Sequence, residues 1–97
     1  MTVLTCIARL EAKPGFEAKV RAELSKLLEP SRREEGCLNY DMHVVNDAPQ
    51  VFMFHENWTS EAMLDQHLQS EHIQACFAEI GELLASVDVQ RLTRIES

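Results

Sequence analysis

The sequence predicts an α+β sandwich, with helices covering one face of a four-stranded antiparallel sheet, and three observations lead there. Residues 37–45 and 51–58 alternate in polarity around a turn-rich segment, as the two strands of a hairpin do. Two other stretches, after Gly15 and after Ser60, place apolar residues at helical spacing. Strand-like segments stand at both ends, which completes the order β-α-β-β-α-β of a ferredoxin-like sandwich.

The first strand is expected over residues 2–12, where β-branched and small apolar residues run up to the turn Lys13-Pro14-Gly15. Its two faces, Val3, Thr5, Ile7 and Leu4, Cys6, Ala8, Leu10, are both largely apolar, so both are expected to be covered. Phe16, Val20, Leu24, Leu27 and Leu28 then mark an amphipathic helix. Pro30 lacks a backbone donor, so the helix should kink or restart at Pro30-Ser31 before Gly36 ends it.

In the hairpin, Asn46 to Gln50 form the turn and Val45 is expected opposite Val51. That register puts Leu38, Tyr40, Met42 and Val44 on one face with Phe52, Phe54, Glu56 and Trp58. Asn39, Asp41, His43, Met53 and His55 take the other. Ser60 caps a short helix with Leu64, His67 and Leu68 on one stripe. Ser70 caps a second segment, whose face of Ile73, Cys76, Phe77, Ile80, Leu83 and Leu84 is expected to continue past Gly81. Residues 86–95 alternate again as the last strand.

The 97 residues, 45% hydrophobic and 26% charged, suit a single domain over 1–97. Sixteen acidic against nine basic residues give a net charge of -7, which repels a phosphate backbone, so no nucleic acid is expected. Neither a signal peptide nor a run of about 20 apolar residues stands out, so no membrane partner is expected. Cys6, Cys37 and Cys76 lack metal-type spacing and read as reduced packing residues of a cytoplasmic protein. Val3, Ile7, Met53, Val87 and Val89 are expected on the face the helices leave bare, and this patch points to a homodimer closed sheet to sheet.

The stretch from Phe52 to His72 concentrates the candidate chemistry: Glu56, Trp58, His67 and His72. Together with Glu35-Gly36-Cys37-Leu38, Tyr40, His43, Phe52, Phe54, Glu61 and Ala62, these residues resemble the antibiotic biosynthesis monooxygenase domain family over nearly the whole chain. The likeness is strongest to its small stand-alone quinol monooxygenases. The resemblance implies a dimeric α+β barrel with a pocket in each subunit between sheet and helices. It also implies oxygenation of a small quinol or phenol-type aromatic by molecular oxygen, without metal, flavin or haem. Phe54 stands where the polyketide-tailoring branch has an asparagine beside its tryptophan. Phe77 stands at the ligand position of the haem-degrading branch, whose first-strand asparagine this chain lacks, so no haem is expected. A branch that isomerises a phosphorylated linear dione shares the Glu-Gly turn and the histidine pair. A non-catalytic ligand-binding dimer is the further alternative.

Such oxygenation needs a base, a dry pocket and a stabiliser for the substrate anion. His67 is the candidate base, because an imidazole titrates near neutral pH. Trp58 and Glu56 are its catalytic companions, and Tyr40, Met42, Phe52, Phe54, Leu64 and His72 are the candidate substrate wall. Each also has a bland reading: the aromatics as sheet core, His67 as a structurally bonded helix residue, and Glu56 as the partner of Arg9, Arg91 or Arg94. His67 and His72, five residues apart across a helix break, make a poor metal pair, and no metal is expected. His43 and His55 belong to the opposite face, at the expected dimer interface.

Overall fold

Strand β1 (Leu4–Ala12) lies in the interior of the sheet, paired antiparallel with two others, and its inward residues Cys6, Ala8, Leu10 and Ala12 are buried. The computed structural model describes residues 3–96. After β1 come α1 (Glu17–Ser25), α2 (Leu28–Arg32), β2 (Cys37–Val45), β3 (Ala48–Trp58), α3 (Glu61–Leu68), α4 (Glu71–Ile80), a 3₁₀ turn (Gly81–Leu83) and β4 (Leu84–Thr93). The sheet order is β2-β3-β1-β4, all neighbours antiparallel. This is the expected ferredoxin-like α+β fold.

The helices share one face of the sheet. Val20 and Leu24 of α1, Leu27, Leu64 of α3, and Ile73, Cys76 and Ile80 of α4 are buried in one core with Tyr40, Phe52, Phe54 and Trp58. The two serine caps stand where the sequence puts them. Ser60 Oγ accepts from Met63 N–H at 3.3 Å, and Ser70 Oγ accepts from Ile73 N–H at 3.4 Å. The second cap breaks the helical path between His67 and His72.

Several expectations are corrected. The first helix breaks at Lys26–Leu27 rather than at Pro30-Ser31, because Pro30 has no N–H to give to the carbonyl four residues earlier, at Lys26. Proline then falls in the first turn of α2, where a missing donor costs nothing. The hairpin turn is the two-residue Asn46-Asp47, and Val45 faces Ala48 rather than Val51. The register deeper in the hairpin is as expected, with Tyr40 opposite Glu56, Met42 opposite Phe54 and Val44 opposite Phe52. An irregularity between Cys37 and Asn39 ejects Leu38 from that face: Cys37 faces Trp58, and Leu38 is 55% exposed. Helix α4 stops at Ile80 and tightens into the 3₁₀ turn Gly81–Leu83; Leu84 instead opens β4, two residues before the expected start.

The bare face also differs. Val87 pairs with Leu10 and Val89 with Ala8, so both valines lie on the helix side. Leu92, opposite Thr5, joins the bare face instead, with Val3 and Leu38. Within one chain only the helix-facing set of β1 is buried, and Val3 and Arg9 are exposed on the open face. A polar ladder crosses the open side: Thr5 Oγ1 to Asn57 Oδ1 at 2.6 Å, Asn57 Nδ2 to Asn39 Oδ1 at 2.7 Å, and Asn39 Nδ2 to Asp41 Oδ2 at 3.0 Å.

Candidate active site

Between sheet and helices lies a cavity lined by Cys6, Ala8, Tyr40, Phe54, Glu56 and His67 from within, and by Leu68, Phe77, Val87 and Val89 toward its open end. The cavity volume is about 40 Å³, and the empty space is about 410 Å³ when the region open to solvent is counted. That is room for a few waters, so a six-membered ring enters only if lining side chains move. Val87 and Val89 are 48% and 43% exposed, because edge strand β4 projects beyond the helix layer.

Four of the sequence-derived site residues meet here. His67 is 1% exposed, with its ring centroid 4.7 Å from Trp58 and 5.2 Å from Tyr40, the latter edge to face. Burial depresses the His67 pKa, with the Glu34 hydrogen bond opposing it, which favours the neutral form of the ring. Glu56 is 4% exposed and accepts from Trp58 Nε1 at 3.0 Å. Burial pushes its carboxyl up to about 7, while the indole hydrogen bond pulls it back. The arginines considered for it go elsewhere: Arg91 to Glu61 and Asp65, Arg9 to Glu11, and Arg94 to Glu96.

The other candidates lie apart from this cavity. Trp58 is fully buried behind Glu56 and orients that carboxylate. Leu64 is fully buried in the core beneath α3. Met42 and Phe52 line a separate, open hollow with Arg21, Ser25 and His43, beside α1. His72 lines a third hollow with Glu23, Lys26 and Cys76. His43 and His55 face Met53 and Asp41 across strands on the open side of the sheet.

Sequence reasoning missed Glu34. It sits in the turn between α2 and β2, where Gly36 takes φ +85° and lies so close to α3 that a Cβ there would press into Met63. Gly36 also accepts from Thr59 N–H at 2.9 Å. This close approach brings Glu34 over the joint between α3 and α4, where its Oε2 meets His67 Nδ1 at 2.6 Å and His72 Nε2 at 2.8 Å. A carboxylate only accepts, so both imidazoles donate to it. The three donor atoms lie within 4.8 Å of one another, a spacing a divalent cation could span, and each is already engaged in these hydrogen bonds. The signal available in the sequence was an acidic pair running into a glycine turn, with nothing in its spacing to tie it to residues 33 and 38 positions away.

The thiols are held protonated. Burial and neighbouring carboxylates push Cys6 up to about 12, and Cys37 and Cys76 up to about 11, so all three serve as packing groups near neutral pH.

The architecture is that of an α+β sandwich, an antiparallel sheet roofed on one side by helices, with a buried histidine and a buried acidic residue lining an apolar cavity between the layers. The family model for antibiotic biosynthesis monooxygenase matches residues 3–79, and the chain belongs to that family. The crystal structure of PA3566 from Pseudomonas aeruginosa is similar to it with a TM-score of 0.94 and 35% identity, covering 99% of this chain and 97% of that one. Rv0793 of Mycobacterium tuberculosis is 36% identical over 78 residues, covering 80% of this chain and 76% of that protein, and its structure superposes with a TM-score of 0.90. "Probable quinol monooxygenase YgiN" of Escherichia coli (strain K12) is 31% identical over 83 residues, covering 75% of this chain and 80% of that protein.

Proposed function

We propose that this protein is a monooxygenase that oxidises a small quinol or phenol-type aromatic with molecular oxygen, the substrate itself supplying the electrons. The observation that carries this reading is the buried His67 lining an apolar cavity, with Nδ1 hydrogen-bonded to Glu34 and no partner for Nε2 among the described residues. In the proposed reaction Nε2 takes a phenolic proton, and the resulting anion is electron-rich enough to reduce oxygen. For a hydroquinone the balance is quinol plus O2 giving hydroxyquinone plus water, with His67 returning its proton to the departing oxygen. In the proposed reaction Glu56, in its protonated form, donates a hydrogen bond to a substrate oxygen, a role supported by its raised pKa and its part in the cavity lining. Tyr40 and Phe54, 5.1 Å apart, form the aromatic wall.

The reading extends to a homodimer, supported by Val3, Leu38 and Leu92 exposed on the open sheet face. A cytoplasmic setting is supported by three free cysteines. No helix among the described residues is long and apolar enough to cross a membrane.

Oxygen-electrode measurements with menadiol and related quinols test the activity. Uptake of one O2 per quinol, with one ¹⁸O atom entering the product, is expected, and His67→Ala should lower the rate by roughly 100-fold or more, as loss of a general base does. No enzyme-dependent uptake across a quinol panel would reject the oxygenase and turn attention to proton-transfer isomerisation.

A further inference from the structure

His67 has two ring nitrogens, and the chemistry proposed above uses Nε2 twice, first as acceptor and then as donor. That demands a ring that neither flips nor changes tautomer between the two transfers. The groups packed against it are Tyr40 from β2, Trp58 from β3, His72 from α4, and Glu34 from the turn before β2, while Glu56 of β3 lines the same cavity. Among these described neighbours only Glu34 hydrogen-bonds to the imidazole, at Nδ1, and Nε2 has no partner among the described residues. Glu34 is itself held. His72 Nε2 donates to the same Oε2 at 2.8 Å, and Ser70, which caps the helix carrying His72, donates its Oγ–H to the His67 carbonyl at 2.7 Å.

We infer that Glu34 is the positioning residue of the His67 base, fixing it as the Nδ1–H tautomer with Nε2 toward the cavity, and that His72 anchors Glu34 from the solvent side. The assignment of His67 as base rests on the proposed function; the fixing of its tautomer stands on the geometry alone. When Nε2 accepts the substrate proton, the imidazolium forms 2.6 Å from a carboxylate and is stabilised by it. The Nδ1 proton stays in place throughout, so the proton gained at Nε2 is also the one returned. This is the third-group logic by which a buried acid orients a catalytic histidine. Glu34 and His72 are the more exposed members, with side chains 18% and 25% accessible, so the pair links the buried ring to solvent.

The test combines NMR of ¹⁵N-labelled imidazoles with kinetics on the whole chain. Wild-type His67 is expected as the Nδ1–H tautomer across neutral pH. In Glu34→Leu, which removes the acceptor, the Nε2–H tautomer should appear, the His67 titration should move to lower pH, and kcat for the quinol should fall at least roughly 100-fold with KM little changed. Glu34→Gln keeps a neutral acceptor and should retain part of the tautomer preference while losing the charge that stabilises the imidazolium, and His72→Gln should give a smaller loss than Glu34→Leu. A wild-type His67 in the Nε2–H form, or an unchanged tautomer in folded Glu34→Leu, would overturn the inference. So would purified protein holding one equivalent of zinc whose removal by a chelator shifts the His67 signals, since Nδ1 would then be a ligand rather than a donor. The expected tautomers without any oxygen uptake would keep Glu34 as the positioning residue and reject the oxygenase reading instead.

Discussion

Glu56 and His67 show how a single buried group couples chemistry to stability. The folded-state pKa of Glu56, about 7, lies above its ordinary value of 4.5 because burial disfavours the charged form. A raised folded pKa means that stability is fully present below about pH 4.5 and is lost as pH rises through 7. The loss is on the order of 3 kcal/mol, from about 1.4 kcal/mol per pKa unit. Glu56→Gln keeps an acceptor for Trp58 and removes the charge, so we expect it to exceed the wild type in stability at pH 8 by up to about 3 kcal/mol and to match it near pH 4. Urea unfolding at the two pH values decides, and equal stabilities at pH 8 would mean that the carboxylate is solvated. His67 has the opposite sign: its folded pKa is depressed, so its contribution is present above pH 6.5 and is lost as pH falls.

At the scale of elements, the site is made by three interruptions of regular structure. Pro30 splits the first helix, Gly36 folds the chain tightly onto α3, and Ser70 splits the second helix so that His67 and His72 both reach Glu34. The Gly36 turn is the most demanding of these, since a side chain there meets both a positive φ and Met63. We expect Gly36→Ala to cost about 2–3 kcal/mol, lowering Tm by roughly 10 °C or more. It should also loosen the hold of Glu34 on His67. Thermal unfolding followed by circular dichroism measures the first effect, and a Tm within 2–3 °C of wild type, about 0.5 kcal/mol, would show that Met63 yields.

At the scale of the molecule, the sheet has one roofed and one open face. Four strands about 4.8 Å apart and about ten residues long offer roughly 600 Å² per subunit, so two such faces reach the lower bound for a stable interface. The open face is mixed, with Val3, Leu38 and Leu92 beside the Thr5–Asn57–Asn39–Asp41 ladder. Each copy carries -7, so association should tighten as salt screens the repulsion. We expect a dimer at micromolar concentration by sedimentation equilibrium, shifted toward monomer by Leu38→Asp. A wild type monomeric at 100 µM would dismiss the sheet-to-sheet arrangement.

The sequence determined the order of elements, the sheet class, the two serine caps and the inward set Tyr40, Phe54, Glu56, Trp58 and His67, because polarity period and capping chemistry are local properties that survive folding. It did not reveal the displacement of Leu38 or the side taken by Val87 and Val89, since strand register depends on the partner strand as well as on the strand itself. Nor did it separate the pocket wall from the core behind it: Trp58, Phe52, Leu64 and Met42 carry the same apolar pattern as Phe54. Only the tertiary structure decided the partners of the charges. Glu34 reaches two histidines across more than thirty residues because a glycine lets its turn lie against α3, and that packing has no periodic signature in the chain.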